Sequence, residues 1–151
     1  MENWQESLKN AKQHFEIADH MAYVSFVILK ENRLLVKILN ELYLSSTHLI
    51  KAMLKYEADK GKIKLYTDSI INFKTFKERV SDKYLTREEL KNLLMILQLE
   101  RQHKDSPMEF VRKNTFVIMI EDRYETLTIE KVRDIVSKLR GSLNKVSGKL
   151  I

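Results

Sequence analysis

Glycine and proline are scarce in this chain, and their scarcity limits the folds it can adopt. Only three glycines and one proline occur in 151 residues. These two residues supply the backbone conformations of most tight turns, so a many-turned β-sandwich and a glycine-rich phosphate loop are both excluded. Hydrophobic residues make up 44% of the chain, which rules out a disordered tail protein. The sequence therefore predicts an all-α helical bundle, and its length predicts a single domain over residues 1–151.

The spacing of apolar residues predicts where the helices lie. Apolar residues recur at alternating steps of three and four, which is the spacing of one helical face. The pattern covers residues 4–29, 34–60, 67–84, 90–99 and 128–150, and the fourth helix turns polar over residues 100–105. The far half of the first segment is apolar around most of its circumference, so we expect it to lie between neighbours. The fourth segment holds the densest apolar run and is predicted to be the centre of the bundle.

Several helix ends carry recognisable signals. Thr86 and Glu89 have the spacing of a capping box, and Thr128 is placed to cap the last helix. Gly61 is a plausible C-terminal cap for the second helix. Ser106 and Pro107 repeat the start pattern and predict a short sixth helix. The bundle is therefore expected to have five or six helices.

One segment has the composition of β-structure. Residues 115–120 are β-branched and aromatic, and residues 121–122 could turn the chain into a second strand. The sequence predicts a small β-hairpin near residues 115–127. Because an isolated hairpin is only marginally stable, we expect it to lie on the helices.

The chain has no cysteine, which excludes disulfides, thiolate metal sites and a cysteine nucleophile. A reducing compartment, by default the cytoplasm, is expected. The first residues do not have the pattern of a signal peptide. The longest nearly apolar run, residues 21–29, is far shorter than the roughly 20 residues that a membrane-spanning helix needs. We therefore expect no membrane contact.

The net charge of +6 is concentrated at the C-terminal end. Residues 127–151 contain six basic and two acidic residues, which gives four of the six units. The segment 128–151 is thus basic and amphipathic, a pattern that can lie on nucleic acid, an anionic membrane or an acidic protein groove. The alternative is a terminal helix that packs by its apolar stripe while its lysines are solvated. The candidate phosphate contacts here are Lys138, Arg140, Lys145 and Lys149.

A second polar cluster follows the apolar run of the fourth helix. Arg101 and Lys104, with Arg112 and Lys113 beyond the Ser-Pro turn, are further candidate nucleic-acid contacts. Glu100 and His103 have the Glu-x-x-His spacing that places both side chains on one helical face, as in di-iron bundles. Those bundles need the motif twice, and it occurs once, so no metal site is expected. The alternative is a solvent-exposed helix end with local ion pairs.

His48 lies among Ser45, Ser46 and Thr47 in the middle of the second helix. Such a patch can be a hydrogen-bonded feature of the core, which we favour, or the lining of a shallow pocket. The chain contains no P-loop, no Gly-x-Gly-x-x-Gly and no nucleophile elbow. No cofactor is therefore expected, and no feature of the sequence supports catalysis.

Two long helices, a shorter pair and an Arg/His cluster at the end of the fourth helix resemble the HEPN superfamily over residues 5–140. That superfamily comprises small all-α, RNA-associated proteins, often archaeal or bacterial. Its active members carry an arginine, four to six intervening residues and a histidine. Here Arg101 and His103 are separated by one residue. The resemblance therefore implies a non-catalytic binding member.

Three functions follow as hypotheses. The first is an RNA- or DNA-associated accessory protein that uses the basic residues named above. The second is an assembly module that forms a homodimer, or binds another protein, through an exposed apolar seam on the last helix. The third is a degenerate HEPN-type ribonuclease that uses Arg101 and His103. The seam consists of Val136, Leu139, Leu143, Val146 and Leu150.

Overall fold

The computed structural model describes residues 2–105, 108–112, 115–120 and 123–151, with side chains described for residues 2–104 and 126–151. In these ranges the helices form five rods, two of which contain a π-helical turn. The elements are α1 (Trp4–His20), a π turn (Met21–Ser25), α2 (Phe26–Leu29), α3 (Leu34–Asp59), α4 (Ser69–Thr75), a second π turn (Phe76–Val80), α5 (Ser81–Tyr84), α6 (Arg87–Asp105) and α7 (Ile129–Leu150). The predicted all-α fold is confirmed.

A small antiparallel sheet interrupts the helices between α6 and α7. Its strands are β1 (Met108–Arg112), β2 (Thr115–Ile120) and β3 (Arg123–Thr128), in the order β1-β2-β3. The pairing of β2 with β3 confirms the predicted hairpin. The sheet packs on the helices, since β2 contacts α6 and β3 contacts α7.

The short helix predicted after Ser106 and Pro107 is wrong. The residues that follow form β1, which pairs with β2 from Met108 opposite Met119 to Arg112 opposite Thr115. This pairing satisfies the backbone groups along an edge of β2 that a helix would leave unpaired. Ser106, Pro107 and the turn residues 121–122 lie outside the described residues.

The predicted helix ends agree closely with the structure. The Glu89 amide donates to Thr86 Oγ1 at 3.2 Å, and the Thr86 amide donates to Glu89 Oε1 at 2.7 Å. Thr128 Oγ1 accepts from the Lys131 amide at 3.1 Å. Gly61 follows α3 with a φ of 72°, the left-handed conformation that glycine adopts without strain. These local signals are satisfied as the sequence predicts.

The centre of the bundle is α3, and the prediction that the fourth helix occupies it is wrong. Helix α3 packs against α1, α6 and α7. Its buried leucines and isoleucines cover more than one face, whereas α6 buries Leu93, Ile96 and Leu99 and leaves Leu94 and Leu97 partly exposed. Helix α1 packs closely on α3 at the fully buried Ala11, whose carbonyl accepts from Ser45 Oγ of α3.

The far half of the first rod is not enclosed as expected. Val27 is 53% exposed, Ile28 73% and Leu29 62%, and Ile17 and Val24 are also exposed. The sequence predicts neighbours on both sides of this half, because its residues are apolar around most of the helix circumference. Helices α3 and α7 both contact the π turn of this rod, but the described neighbours leave these side chains uncovered.

The apolar stripe of α7 belongs to the core. The five residues of the proposed seam are between 0% and 5% exposed. The hypothesis that this seam is an exposed surface for self-association is therefore wrong. The helix continues past Gly141 to Leu150, so its full length contributes to the core.

Candidate binding cleft

A cleft of about 1260 Å³ lies between α3, the α4 segment and α6. Its floor is apolar and includes Ile50, Leu54 and Leu97. The N-terminal residues Glu2, Asn3 and Trp4 contribute to the lining. Its volume exceeds the roughly 300–1,000 Å³ typical of small-molecule pockets.

Five cations line the cleft, and they come from three separate elements. Helix α3 contributes Lys51 and Lys55, which are one helical turn apart, and α6 contributes Arg101 and Lys104 in the same way. Lys77 comes from the π turn after α4. Three acidic residues, Glu2, Asp59 and Glu100, also line the cleft. The lining therefore carries a net charge of +2.

Aromatic rings lie beside these cations. Lys104 Nζ is 5.3 Å from the centroid of Tyr43, and Lys77 Nζ is 5.0 Å from the centroid of Phe73. Both rings line the cleft. An ammonium on a ring face is attracted by the negative face of the π system. The cleft thus offers positive charge and flat apolar surfaces side by side.

Tyr66 lies in the cleft lining on the loop between α3 and α4 and is 49% exposed. Its backbone is held on both sides by one side chain. The Tyr66 amide donates to Asn72 Oδ1 at 2.9 Å, and Asn72 Nδ2 donates to the Tyr66 carbonyl at 2.7 Å. Lys64 Nζ lies 5.4 Å from the Tyr66 ring centroid. A half-exposed ring is therefore carried by a backbone that is held in place.

Trp4 lines the N-terminal end of the cleft, and Glu2 anchors the residues next to it. Glu2 Oε1 accepts from Ser7 Oγ at 2.8 Å and from Asn10 Nδ2 at 3.2 Å. The Ser7 hydrogen bond, with Asn10 and the charge of Lys55, lowers the pKa of Glu2 despite its partial desolvation. The Trp4 ring packs edge-on to Tyr56 with 5.4 Å between centroids. These contacts position the only tryptophan of the chain at the cleft.

A pair of stacked histidines connects α1 to α3 near this end. The His14 and His48 rings are nearly parallel, with 5.6 Å between centroids. His14 Nδ1 lies 2.6 Å from Glu41 Oε2, and His48 Nδ1 lies 3.5 Å from Glu2 Oε1. Burial lowers the pKa of His48, and the nearby Lys51 and His14 act in the same direction while Glu2 opposes them. Burial thus favours the neutral form of His48.

The polar patch around His48 divides between core and surface. Ser45 Oγ donates to the Ala11 carbonyl at 2.7 Å in a buried position, as expected for a hydrogen-bonded feature of the core. Ser46 is also buried. Thr47 lines the cleft. Both interpretations of this patch therefore apply, each to different residues.

The polar residues near the end of α6, namely Glu100, Arg101, His103 and Lys104, do not all line the same depression. Arg101 lines the main cleft, whereas His103 lines a smaller depression beside α3, because residues two apart point to opposite sides of a helix. Glu100 borders both and is only 2% exposed. The expectation of a solvent-exposed helix end is wrong for Glu100 and correct for Arg101 and Lys104. Arg101 and His103 do not share one pocket.

Two cations of α7 contact acidic residues on other helices. Lys145 Nζ donates to Glu89 Oε1 at 2.7 Å, and Arg140 pairs with Asp19 on α1. Burial raises the pKa of Glu89, but its hydrogen bonds with Lys145 and Thr86 outweigh burial and lower it overall. These two ion pairs therefore connect α7 to α6 and to α1.

Lys138 and Lys149, the other two predicted contacts on α7, also have partners within the chain. Lys138 Nζ lies 3.1 Å from Asp134 Oδ2, and Lys149 Nζ donates to the Lys83 carbonyl at 2.9 Å. Arg112 and Lys113 lie outside the residues whose side chains are described. Of the eight predicted contacts, the structure places Arg101 and Lys104 in one cleft and places the four α7 cations elsewhere.

Sequence reasoning missed Lys51, Lys55 and Lys77, as well as the ring of Tyr66. The i, i+4 spacing of Lys51 and Lys55 was a visible signal, since it places both on one helical face. Lys77 carried no such signal, because its proximity to the others depends on how α4 packs. Among the described residues, no group of three or more His, Asp or Glu side chains is arranged to hold a metal ion. No described helix is long and apolar enough to span a membrane.

Comparison of the chain with protein-family models, with curated proteins and with solved structures yields no match.

Proposed function

We propose that this protein binds nucleic acid in the cleft between α3, the α4 segment and α6. The observation that carries the proposal is the convergence of five cations from three elements on one cleft that also contains aromatic rings. Phosphate groups are bound by Lys and Arg without a fixed sequence spacing, so cations brought together by folding can serve as well as a basic run.

The same geometry favours the cleft over α7 as the binding surface. Three α7 cations, Lys138, Arg140 and Lys145, are paired with carboxylates, and a phosphate would have to compete with those negative charges. The partners of the cleft cations Lys55, Lys77 and Lys104 are a hydroxyl and two aromatic rings, which are neutral. Arg101 and Lys104 are among the nucleic-acid contacts predicted from the sequence, and they also line the cleft. The proposed function is still that of a nucleic-acid-binding protein, but the proposed binding surface is the cleft and not α7.

An experiment on salt dependence tests the proposal. Binding of a fluorescent oligonucleotide of about 12 nucleotides is measured between about 50 and 200 mM salt. The variant Lys51→Gln/Arg101→Gln should bind more weakly. The plot of log K against log salt should become shallower by about one for each cation that contacted a phosphate. Quenching of Trp4 fluorescence by unlabelled oligonucleotide would locate the ligand in the cleft.

Two double variants with the same loss of charge serve as controls. Lys138→Gln/Lys149→Gln removes two cations from α7, and Lys9→Gln/Lys91→Gln removes two exposed cations outside the cleft. Both should retain the wild-type salt slope. If the plot of log K against log salt becomes shallower only in the α7 variant, the binding surface is on α7. Absence of binding to any oligonucleotide, with tight binding of polyglutamate instead, would show that the cleft serves an acidic protein segment.

A further inference from the structure

We infer that the cleft accepts single-stranded nucleic acid and stacks an unpaired base on Tyr66. This inference rests on the proposed function and specifies the form of the ligand. It depends on three features of the described residues: the exposure and fixation of Tyr66, the ring–ammonium pairs, and the concave shape of the cleft.

The first feature is that Tyr66 is exposed and yet held in place. A large ring that is 49% exposed contributes little to the core. Its backbone is nevertheless fixed by two hydrogen bonds to Asn72, of 2.9 and 2.7 Å. Fixing the backbone that carries a ring before the ligand arrives reduces the conformational entropy lost on binding. This arrangement is well suited to a stacking platform.

The second feature is that the rings of the cleft lie beside lysines. Lys64 lies over Tyr66 and Lys77 over Phe73, with 5.4 and 5.0 Å between ammonium and centroid. A base that stacks on such a ring displaces the ammonium from the ring face. The displaced ammonium stays within reach of the phosphate that follows the base. Alternation of stacking and charge along a groove is the usual chemistry of single-strand binding.

The third feature is that the rings lie in a concave cleft rather than on a convex face. In a duplex the base faces are covered by their neighbours, and the phosphates are on the outside. A duplex could contact the cations at the rim of the cleft, but its bases could not reach the faces of Tyr66 or Phe73. An unpaired strand can present both phosphates and base faces. The shape of the cleft therefore favours a single strand.

The test compares an unlabelled single strand of about 12 nucleotides with a blunt duplex of the same length. For wild-type protein we expect tighter binding of the single strand at equal salt. Tyr66→Leu should weaken single-strand binding roughly 5- to 150-fold, the range for loss of one stacked base. Tyr66→Phe keeps the ring and should bind within about 2-fold of wild type.

Tyr23 provides a matched control. It is a tyrosine with a similar exposure of 44%, and Arg133 lies 5.2 Å from its ring centroid, but it is not part of the cleft lining. Tyr23→Leu should leave single-strand binding unchanged. If Tyr66→Leu behaves like Tyr23→Leu, or if the duplex binds as tightly as the single strand, the inference is overturned while the proposed function stands. Absence of binding to either nucleic acid overturns both.

Discussion

Tyr84 shows how burial and one carboxylate change the chemistry of a single residue. Glu57 is buried, with 3% exposure, and Lys83 Nζ lies 3.0 Å from its Oε1. Tyr84 is 6% exposed and lies beside this pair. Burial, and then the negative charge of Glu57, raise the pKa of Tyr84 to about 12. The folded protein therefore keeps this phenol protonated well above its ordinary pKa of 10.0.

The raised pKa predicts a loss of stability in alkaline solution. Between pH 10 and 12 the unfolded chain releases the Tyr84 proton while the folded chain retains it, so the free energy of unfolding falls as pH rises. Urea unfolding at a series of pH values from 8 to 12 measures this slope. Tyr84→Phe should make the slope shallower. An equal slope in the variant would show that this phenol does not determine alkaline stability.

At the scale of the element, the start of α6 joins a local signal to a distant contact. Thr86 and Glu89 form the reciprocal capping box, and the same Glu89 oxygen accepts from Lys145 on α7. The cap therefore satisfies orphan amides of α6 and also contributes to the packing of α7. The capping box is a local pattern of four residues, and one of them, Glu89, also contacts Lys145, which lies 56 positions further along the chain.

Removal of the cap should cost a measurable part of the stability. Thr86→Ala deletes the hydroxyl that accepts from the Glu89 amide, and we expect the free energy of unfolding to fall by about 1 kcal/mol. Thr67→Ala, at an exposed threonine that caps no helix, is the matched control and should change it by less than about 0.5 kcal/mol. Chemical denaturation of the three proteins makes the comparison. Equal stabilities would contradict the capping role.

At the scale of the whole molecule, α7 holds the bundle together. Its apolar stripe packs into the core, and its cations contact α1, α5 and the start of α6. The basic character of the C-terminal segment is therefore accounted for largely by intramolecular contacts. The cations of the cleft lie on other elements, so the cations that hold α7 in place are not those of the proposed binding surface.

This division predicts different results at two apolar positions near the end of the chain. Leu139 is fully buried, and Leu139→Ala should lower the free energy of unfolding by about 2–5 kcal/mol through loss of packing and formation of a cavity. Ile151 is 84% exposed, and Ile151→Ala should change it by less than about 0.5 kcal/mol. Urea denaturation measures the stability, and sedimentation measures the mass. A stable Leu139→Ala protein that loses a dimer would restore the seam as an interface.

Helix positions and helix ends were predictable from the sequence alone. The apolar periodicity marked all five helical rods, and Thr86, Thr128 and Gly61 marked their ends correctly. These features depend on hydrogen bonds and side-chain spacings within a few residues, which a sequence records directly. The same local reasoning failed at Met108–Arg112, because pairing with β2 outweighed a helix-start signal.

Only the tertiary structure decided which faces meet. Lys51, Lys77 and Arg101 are distant in sequence, and they share a cleft because α6 and the π turn after α4 both pack on α3. The apolar stripe of α7 could equally have been an exposed seam until the packing placed it in the core. A helical pattern shows that a face is apolar or basic, but the partner of that face depends on the packing of the whole chain. The sequence thus determined the elements of this protein, and the packing determined its core and its candidate site.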